Sequence, residues 1–416
     1  MPSQHRIFYG WWVVGALFIV GMLGPMGRYS ITAFFPFIAS ELGWSRSEIG
    51  LAQSISLWVY SLFVILAGWM IDRIGSKKTI FIGGLLCLCG WILLATIKSL
   101  WQFYLYYGCI MAITVSMTHY VPTQATVRKW FRSRSGLASG ILASALSVGQ
   151  VVFMPLLTWM SDSSGWRTTS LVCAVAFSIP IILLAYFIIY DTPESIGLHP
   201  DGEPVQLASD TDRNGVSSKD LAVSDVVRTS QFWLLFATYS LIGTVLNGLF
   251  AHIVMWAVDV GSTRAVAGFF VALISAPSIA AKVGGGWLGD IYGKRKVMIT
   301  SSLACLLILL FAWQAIYSAP QLRFFAIIIG ISYGLPMGLF APYLGDLFGR
   351  ANVGSLFGIL TMGWGLIGGW GPMAWSLIVD MTGNYNMACL ISAGCYALAL
   401  IALLSIKPIT ARIELN

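Results

Sequence analysis

The sequence predicts an all-α polytopic membrane protein, with twelve transmembrane helices in two pseudo-symmetric six-helix bundles. Three observations predict it. Hydrophobic residues fill 57% of the 416 positions and charged residues only 10%, where a soluble domain carries roughly a quarter charged residues. Apolar runs of about 20 residues, enough to cross a bilayer, recur from end to end. A Gly/Asp/basic motif also appears twice at one constant offset. Such runs cross as helices because hydrocarbon offers the backbone no hydrogen-bond partner. The short alternating segments of a membrane β-barrel are absent.

The elements follow in order. The first apolar run, 9–39, opens on the aromatic belt Phe8-Tyr9-Gly10-Trp11-Trp12. No small-residue cleavage site follows it, so it reads as a retained helix and not a cleaved signal. Helices 2 to 6 are expected over 48–72, 79–97, 100–127, 136–160 and 167–190. The stretch 191–230 is rich in Asp, Ser and Gly and holds no apolar run, which makes it a loop between halves. Helices 7 to 12 are expected over 231–258, 263–289, 297–316, 320–347, 353–380 and 384–406. The division is therefore an N-terminal bundle 1–190, a cytoplasmic central loop 191–230 and a C-terminal bundle 231–416.

Charge orients this parse and explains the net +7. One side holds Arg6, Arg73, Lys77, Lys78, Arg128, Lys129, Arg132, Arg134, Arg213, Lys219, Arg228, Lys294, Arg295, Lys296, Arg350, Lys407 and Arg412. The other holds Arg46, Lys98, Arg167, Arg264 and Arg323. Cytoplasmic loops carry the excess of Lys and Arg, so both termini and the central loop are assigned to the cytoplasm. Short basic loops between apolar runs exclude nucleic acid as the partner. Arg28 and Lys282 belong to neither side and fall inside helices.

The seven cysteines, Cys87, Cys89, Cys109, Cys173, Cys305, Cys389 and Cys395, lie in apolar runs without zinc-site spacing. They read as small packing residues, and no metal or cofactor is expected. No G-x-x-x-x-G-K-[ST] phosphate loop occurs, so the chain has no ATP-hydrolysing domain of its own. No catalytic triad or titratable cluster suggests an enzyme.

Gly68-x-x-x-Asp72-x-x-Gly75-x-Lys77-Lys78 recurs as Gly286-x-x-x-Asp290-x-x-Gly293-x-Arg295-Lys296, every position shifted by 218 residues. Each copy lies between the second and third helix of its half, which points to duplication. This motif, the 6+6 helices and the charged loop resemble the major facilitator superfamily over essentially the whole chain. The resemblance implies a V-shaped bundle that rocks around a site near the midplane between repeats. Asp72 and Asp290, with Arg73 and Arg295, would then gate. A carboxylate at a helix end can hold basic loop residues and a facing helix N-terminus in one conformation.

Ionisable groups inside membrane segments are costly and read as functional. Lys282 lies mid-helix in Pro277-Ser278-Ile279-Ala280-Ala281-Lys282-Val283-Gly284, too deep to snorkel, with no carboxylate on its turn. It is the expected ligand for an anionic substrate group, against a structural ion pair. Arg28, in Gly24-Pro25-Met26-Gly27-Arg28-Tyr29-Ser30, sits where Gly-Pro predicts a bent helix; it either joins Lys282 in the cavity or lies near the outer mouth. His119 and Tyr120 in helix 4, Asn247 and His252 in helix 7, Tyr333 and Trp364 are further internal polar or aromatic candidates. His252, Met255 and Asp259 recur at helical spacing, a face that can pass a proton because histidine titrates near neutral pH.

Tyr9-Gly10-Trp11-Trp12, Tyr29-Ser30-x-x-x-Phe34-Phe35 and Lys129-Trp130-Phe131-x-x-Arg134-x-Gly136-x-Ala138-x-Gly140 resemble the monocarboxylate transporter and oxalate/formate antiporter branch. That branch carries a substrate-binding arginine on helix 8, and the matching position here is Lys282. Lysine keeps the charge but not the two-pronged grip on a carboxylate. The mammalian monocarboxylate carriers have an aspartate one turn before, where this chain has Ser278, and the oxalate exchanger has a second cation on helix 11, which aligns with Trp364 here. One central cation, aided by Arg28, fits a monoanion, and Trp364 can stack on an apolar tail.

The function this predicts is secondary active transport of a small organic anion, a monocarboxylate of the lactate or pyruvate kind. Transport would proceed by proton symport or anion exchange with alternating access, in a cell membrane such as a bacterial inner membrane. The partners are then the anion, the proton and the lipid bilayer. The rivals are an efflux carrier for amphipathic compounds, favoured by 17 Trp but lacking a mid-membrane carboxylate, and a transport-dead nutrient sensor.

Overall fold

The computed structural model describes residues 8–131, 135–199, 221–348 and 353–406. We number twelve membrane helices, several of them built from more than one helical segment. The N-terminal six are α1 (Tyr9–Leu23 and Met26–Leu42), α2 (Arg46–Ile74), α3 (Ser76–Ala95), α4 (Leu100–Phe103 through Tyr120–Trp130), α5 (Ser135–Ser164) and α6 (Trp166–Phe187). The C-terminal six are α7 (Ser230–Asp259), α8 (Arg264–Ala267 and Phe269–Tyr292), α9 (Lys294–Ala315), α10 (Ala319–Met337 and Phe340–Phe348), α11 (Val353–Leu366 and Trp370–Thr382) and α12 (Asn386–Ser405). Among the described residues, ten of these are long and apolar enough to cross a membrane. The other two, α4 and α11, are interrupted. The chain is a multi-pass membrane protein.

The duplication is written into the backbone. Six of the glycines with positive φ form three pairs: Gly43 with Gly261, Gly75 with Gly293, and Gly165 with Gly383. Each pair is separated by the same 218 residues as the repeated motif. Gly75 (φ 88°) and Gly293 (φ 91°) turn the chain between the second and third helix of each half. A β-carbon is disfavoured there, so both copies of the motif keep glycine. The two halves thus share their turns as well as their sequence pattern.

The expected helix ends hold to within a few residues, but interruptions inside the helices differ. α1 breaks at Gly24-Pro25, as the Gly-Pro pair predicts, because proline cannot donate to the turn before it. α4 was expected to be continuous. Instead it contains a π-helical stretch, Tyr104–Met111, and a break at His119, whose φ/ψ of −105°/−126° is not helical. α10 breaks after Pro336, and α11 breaks at 367–369 within Ile367-Gly368-Gly369. The central loop lies mostly outside the described residues; its described flanks form the short turns Pro193–Ile196 and Val223–Val226.

Among the described residues, three helix pairs pack closely across the halves. On α2 and α11, the Ser54 hydroxyl accepts from the Met373 N–H (3.2 Å) and Trp58 Nε1 donates to the Leu366 carbonyl (3.1 Å). The Trp58 and Trp370 rings meet at 4.7 Å. Small residues allow this approach: a β-carbon on Gly50 would meet Ser376, and one on Gly365 would meet Ser61. On α5 and α8, Ser275 donates to Gln150 Oε1 (2.9 Å) and Lys282 Nζ to Ser147 Oγ (2.8 Å). On α1 and α7, Phe35 packs on the His252 ring at 5.3 Å.

Candidate functional site

The break in α1 builds the site. One turn beyond Gly24-Pro25, Arg28 leaves the helix surface beside a cavity lined by Arg28, Tyr29, Thr32, Gln53, Leu57, Tyr107, Asn247, Phe250 and Pro372, with Ile31 and Ala251. Both halves contribute, and among the described residues none that lines it is a carboxylate. Arg28 Nη2 donates to the Tyr29 hydroxyl (2.8 Å), and its guanidinium lies over the rings of Tyr29 (4.8 Å) and Tyr60 (5.2 Å). Ring faces attract a cation but do not neutralise it. Arg28 Nη1 is buried and has no hydrogen-bond partner. A buried guanidinium without a counter-ion is costly, and here the residue that carries it lines a cavity.

The helix defects hold this arrangement. The π-helical turn of α4 carries Tyr107, which stacks on Phe103 (5.3 Å, 18° between planes) and donates to the Arg28 carbonyl (2.9 Å). Such π-helical turns gather at functional sites because they re-aim one side chain. The break in α11 frees carbonyls that polar side chains take up. Asn247 Nδ2 donates to the Gly368 carbonyl (3.3 Å) and Thr244 to the Ile367 carbonyl (3.4 Å). Asn247 therefore spends one amide N–H on the backbone while lining the cavity.

Lys282 belongs to a neighbouring cluster. Its ammonium donates to Ser147 and lies 5.7 Å from the centre of the Tyr333 ring. Tyr333 donates to the Ser278 hydroxyl (3.1 Å), and Ser278 donates to the Ser275 carbonyl (2.7 Å). Ser278 is fully buried, so it positions Tyr333 and does not line the cavity. Phe250 links the two clusters, since it lines the Arg28 cavity and packs edge-on against Tyr333 at 5.8 Å.

The remaining expected residues fall elsewhere. Trp364 packs on Tyr239 (4.9 Å) and over Gly243, apart from the Lys282 contacts. His119 forms the α4 break and Tyr120 starts the next segment, its side chain 41% exposed. His252 is fully buried, with Nδ1 on the Tyr385 hydroxyl (3.3 Å) and Nε2 near the Ser376 hydroxyl (2.8 Å) and Pro372 carbonyl (3.2 Å). Asp259 pairs with Arg46, and Tyr385 connects that pair to His252, since Arg46 Nη1 donates to the Tyr385 hydroxyl (2.8 Å). His252 and Asp259 are thus bridged by Arg46 and Tyr385, not in direct contact along one helix face.

At the opposite end, Arg73 lies over Trp69 (4.8 Å), Arg295 caps the Leu403 and Leu404 carbonyls of α12, and Lys294 pairs with Asp346 (2.6 Å). The carboxylates of Asp72 and Asp290 lie outside the described side chains. Gln53, Tyr60, Tyr107 and Phe250 are not among the residues expected from sequence, because nothing in their own runs sets them apart from other polar or aromatic residues of the helices. A carboxamide in the apolar run Leu51-Ala52-Gln53-Ser54 was the available signal for Gln53.

Comparison with known proteins agrees with this architecture. The sequence profile of the Major Facilitator Superfamily matches residues 17–276 and 253–414. Monocarboxylate transporter 13 of Rattus norvegicus is 23% identical over 398 residues, covering 94% of this chain and 87% of its own. The oxalate:formate antiporter of Oxalobacter formigenes is 23% identical over 357 residues, covering 85% and 80%. The probable sulfoacetate transporter SauU of Cupriavidus necator is 23% identical over 436 residues, covering 98% and 96%. Among solved structures, a D-xylose-proton symporter superposes with a TM-score of 0.79 at 13% identity, covering 96% of this chain and 98% of its own.

Proposed function

The chain belongs to the Major Facilitator Superfamily, and we propose that it is a secondary transporter of small organic anions, with a monocarboxylate as the substrate. The observation that carries this reading is Arg28: a buried guanidinium with an unpartnered Nη1, on a residue lining a cavity that has no carboxylate among its described residues. An incoming carboxylate supplies the missing acceptors and counter-charge together, a charge-assisted contact stronger than a neutral one. Lys282, held by Ser147 and Tyr333, offers a second cation one aromatic ring away. Tyr29 and Asn247, which line the same cavity, complete the proposed surroundings of the substrate. Relatives named for monocarboxylates, oxalate and formate, and sulfoacetate support an anion as cargo.

Alternating access follows from the two halves (1–190 and 231–416, joined by the loop 191–230) rocking about this site. The lysine and arginine asymmetry supports a cytoplasmic side for the termini and loop, and on that reading the Arg46–Asp259 pair closes the halves at the outward end. Asp72, Arg73, Asp290 and Arg295 would gate the cytoplasmic end. Coupling is by proton symport or anion exchange, with His252 and Asp259 as the proton-carrying candidates. The test is uptake of radiolabelled carboxylates into proteoliposomes, with Arg28→Gln and Lys282→Ala as variants. Uptake by the wild type and its loss in folded Arg28→Gln is the expected result. Full uptake by both variants would overturn the reading.

A further inference from the structure

Resting on that reading, we infer that Gln53 is a specificity-determining residue, and that the transported anion carries a neutral group that both donates and accepts a hydrogen bond, a hydroxyl above all. Gln53 lies on α2 and lines the same cavity as Arg28. Its side chain is 4% exposed, yet neither Nε2 nor Oε1 has a hydrogen-bond partner. The other buried glutamine of the interface, Gln150, accepts from Ser275 at 2.9 Å. Leaving a buried carboxamide unpaired carries the desolvation cost of both its ends. Leucine or methionine would fill the same volume without that cost, so the amide is not explained by packing.

Its chemistry defines what it reads. The Nε2 group needs an acceptor and Oε1 needs a donor. A hydroxyl is both, and one hydroxyl can satisfy either end. A second carboxylate would satisfy Nε2 and leave Oε1 facing an oxygen. An ammonium would satisfy Oε1, but it would enter a cavity that already holds the uncompensated charge of Arg28. The remaining apolar lining, Leu57, Phe250 and Pro372, accepts the carbon body. The cavity is thus built for a carboxylate on Arg28 and a hydroxyl on Gln53 within one small anion. A site that hydrogen-bonds a substrate hydroxyl rejects the analogue lacking it far more strongly than an apolar site rejects a missing methylene.

The experiment is a binding titration of the purified full-length protein with matched carboxylates: butanoate against α- and β-hydroxybutanoate, and phenylacetate against mandelate. The variants are Gln53→Leu and Gln53→Met. The wild type is expected to prefer a hydroxylated member by about tenfold or more. Both variants should bind hydroxylated and plain members within about twofold of each other. Without ligand, the variants should melt at or above the wild-type temperature, because an unpaired amide has been replaced by an apolar side chain of similar size. A loss of thermal stability in both variants would assign Gln53 a structural role and overturn the inference. So would a wild type without hydroxyl preference, or a preference that survives in the variants. If no carboxylate binds the wild type at all, the anion reading itself falls.

Discussion

Arg46 of α2 and Asp259 of α7 form a two-pronged ion pair across the halves, with Nη1–Oδ2 at 2.6 Å and Nη2–Oδ1 at 3.0 Å. Nearby, the Ser47 N–H donates to Asp380 of α11 (2.8 Å). The repeat sets a counterpart for each partner 218 residues away: Arg264 for Arg46 and Glu41 for Asp259. The counterpart bridge is not made. Glu41 pairs with Arg167 of its own half, and Arg264 lies over the Phe37 ring at 5.8 Å. A symmetric scaffold is thus latched asymmetrically.

This asymmetry predicts unequal effects of two similar substitutions. Arg46→Ala should loosen the sealed end and raise the labelling of a cysteine placed at Thr32 from that side. Arg264→Ala should leave labelling near the wild-type level. The partners are 23% and 34% exposed, so a double-mutant cycle on Arg46 and Asp259 should return about 1 kcal/mol or less. Equal labelling of both alanine variants would contradict the latch.

Arg28 makes a prediction about stability as well as transport. Arg28→Gln removes a buried charge without a carboxylate partner, so the ligand-free protein should melt at the same or a higher temperature. Carboxylate affinity should fall by more than about tenfold, the loss expected when a charge-assisted contact goes. Thermal melts with and without carboxylate check both halves of the statement. A destabilised variant with intact affinity would make Arg28 structural.

The close approach of α2 and α11 can be used to bias the transport cycle. A β-carbon at Gly365 would meet Ser61, and one at Gly50 would lie 2.9 Å from the Pro372 carbonyl. Gly365→Val and Gly50→Val should therefore hold the halves apart along this seam. The expected outcome is a population opened toward the Arg46 end, read as greater labelling of Thr32→Cys from that side together with slower turnover. Unchanged labelling and turnover would show that the seam yields without cost.

The chain from Arg46 through Tyr385 to His252 makes a prediction about coupling. Burial pushes the Tyr385 hydroxyl above the usual phenol range, so it stays protonated across physiological pH. It then accepts from Arg46 and donates to His252 Nδ1, which leaves Nε2–H to donate toward Ser376 or Pro372. Tyr385→Phe should cost about 1–3 kcal/mol through unpaired buried groups. His252→Gln should retain uptake driven by an anion gradient and lose uptake driven by a pH gradient. Retention of both in His252→Gln would take histidine out of the coupling.

What could be read in advance was what depends on neighbouring residues. Hydropathy determined the twelve helices, because each apolar run must satisfy its own backbone within the bilayer. The Gly75 and Gly293 copies marked the duplication, because each occupies a positive-φ turn that favours glycine. The Gly24-Pro25 pair announced the bend in α1, because proline removes a local donor. Lys282 and Arg28 stood out for the same reason of locality: a charge inside an apolar run is costly wherever the helix packs.

Only the tertiary structure decided which of these groups meet. The repeat pairs Arg28 with Leu246 and Lys282 with Val64, so duplication says nothing about where the cations converge. That Arg28 keeps an open Nη1 while Lys282 rests on Ser147 depends on contacts between helices far apart in sequence. Gln53 was equally hidden, because whether a carboxamide is satisfied is a property of its neighbours and not of its run. The same holds for Arg46, a loop cation in the sequence and a latch in the fold. Backbone hydrogen bonding and hydropathy act within a helix, whereas the pairing of a buried charge or amide is settled by packing between helices.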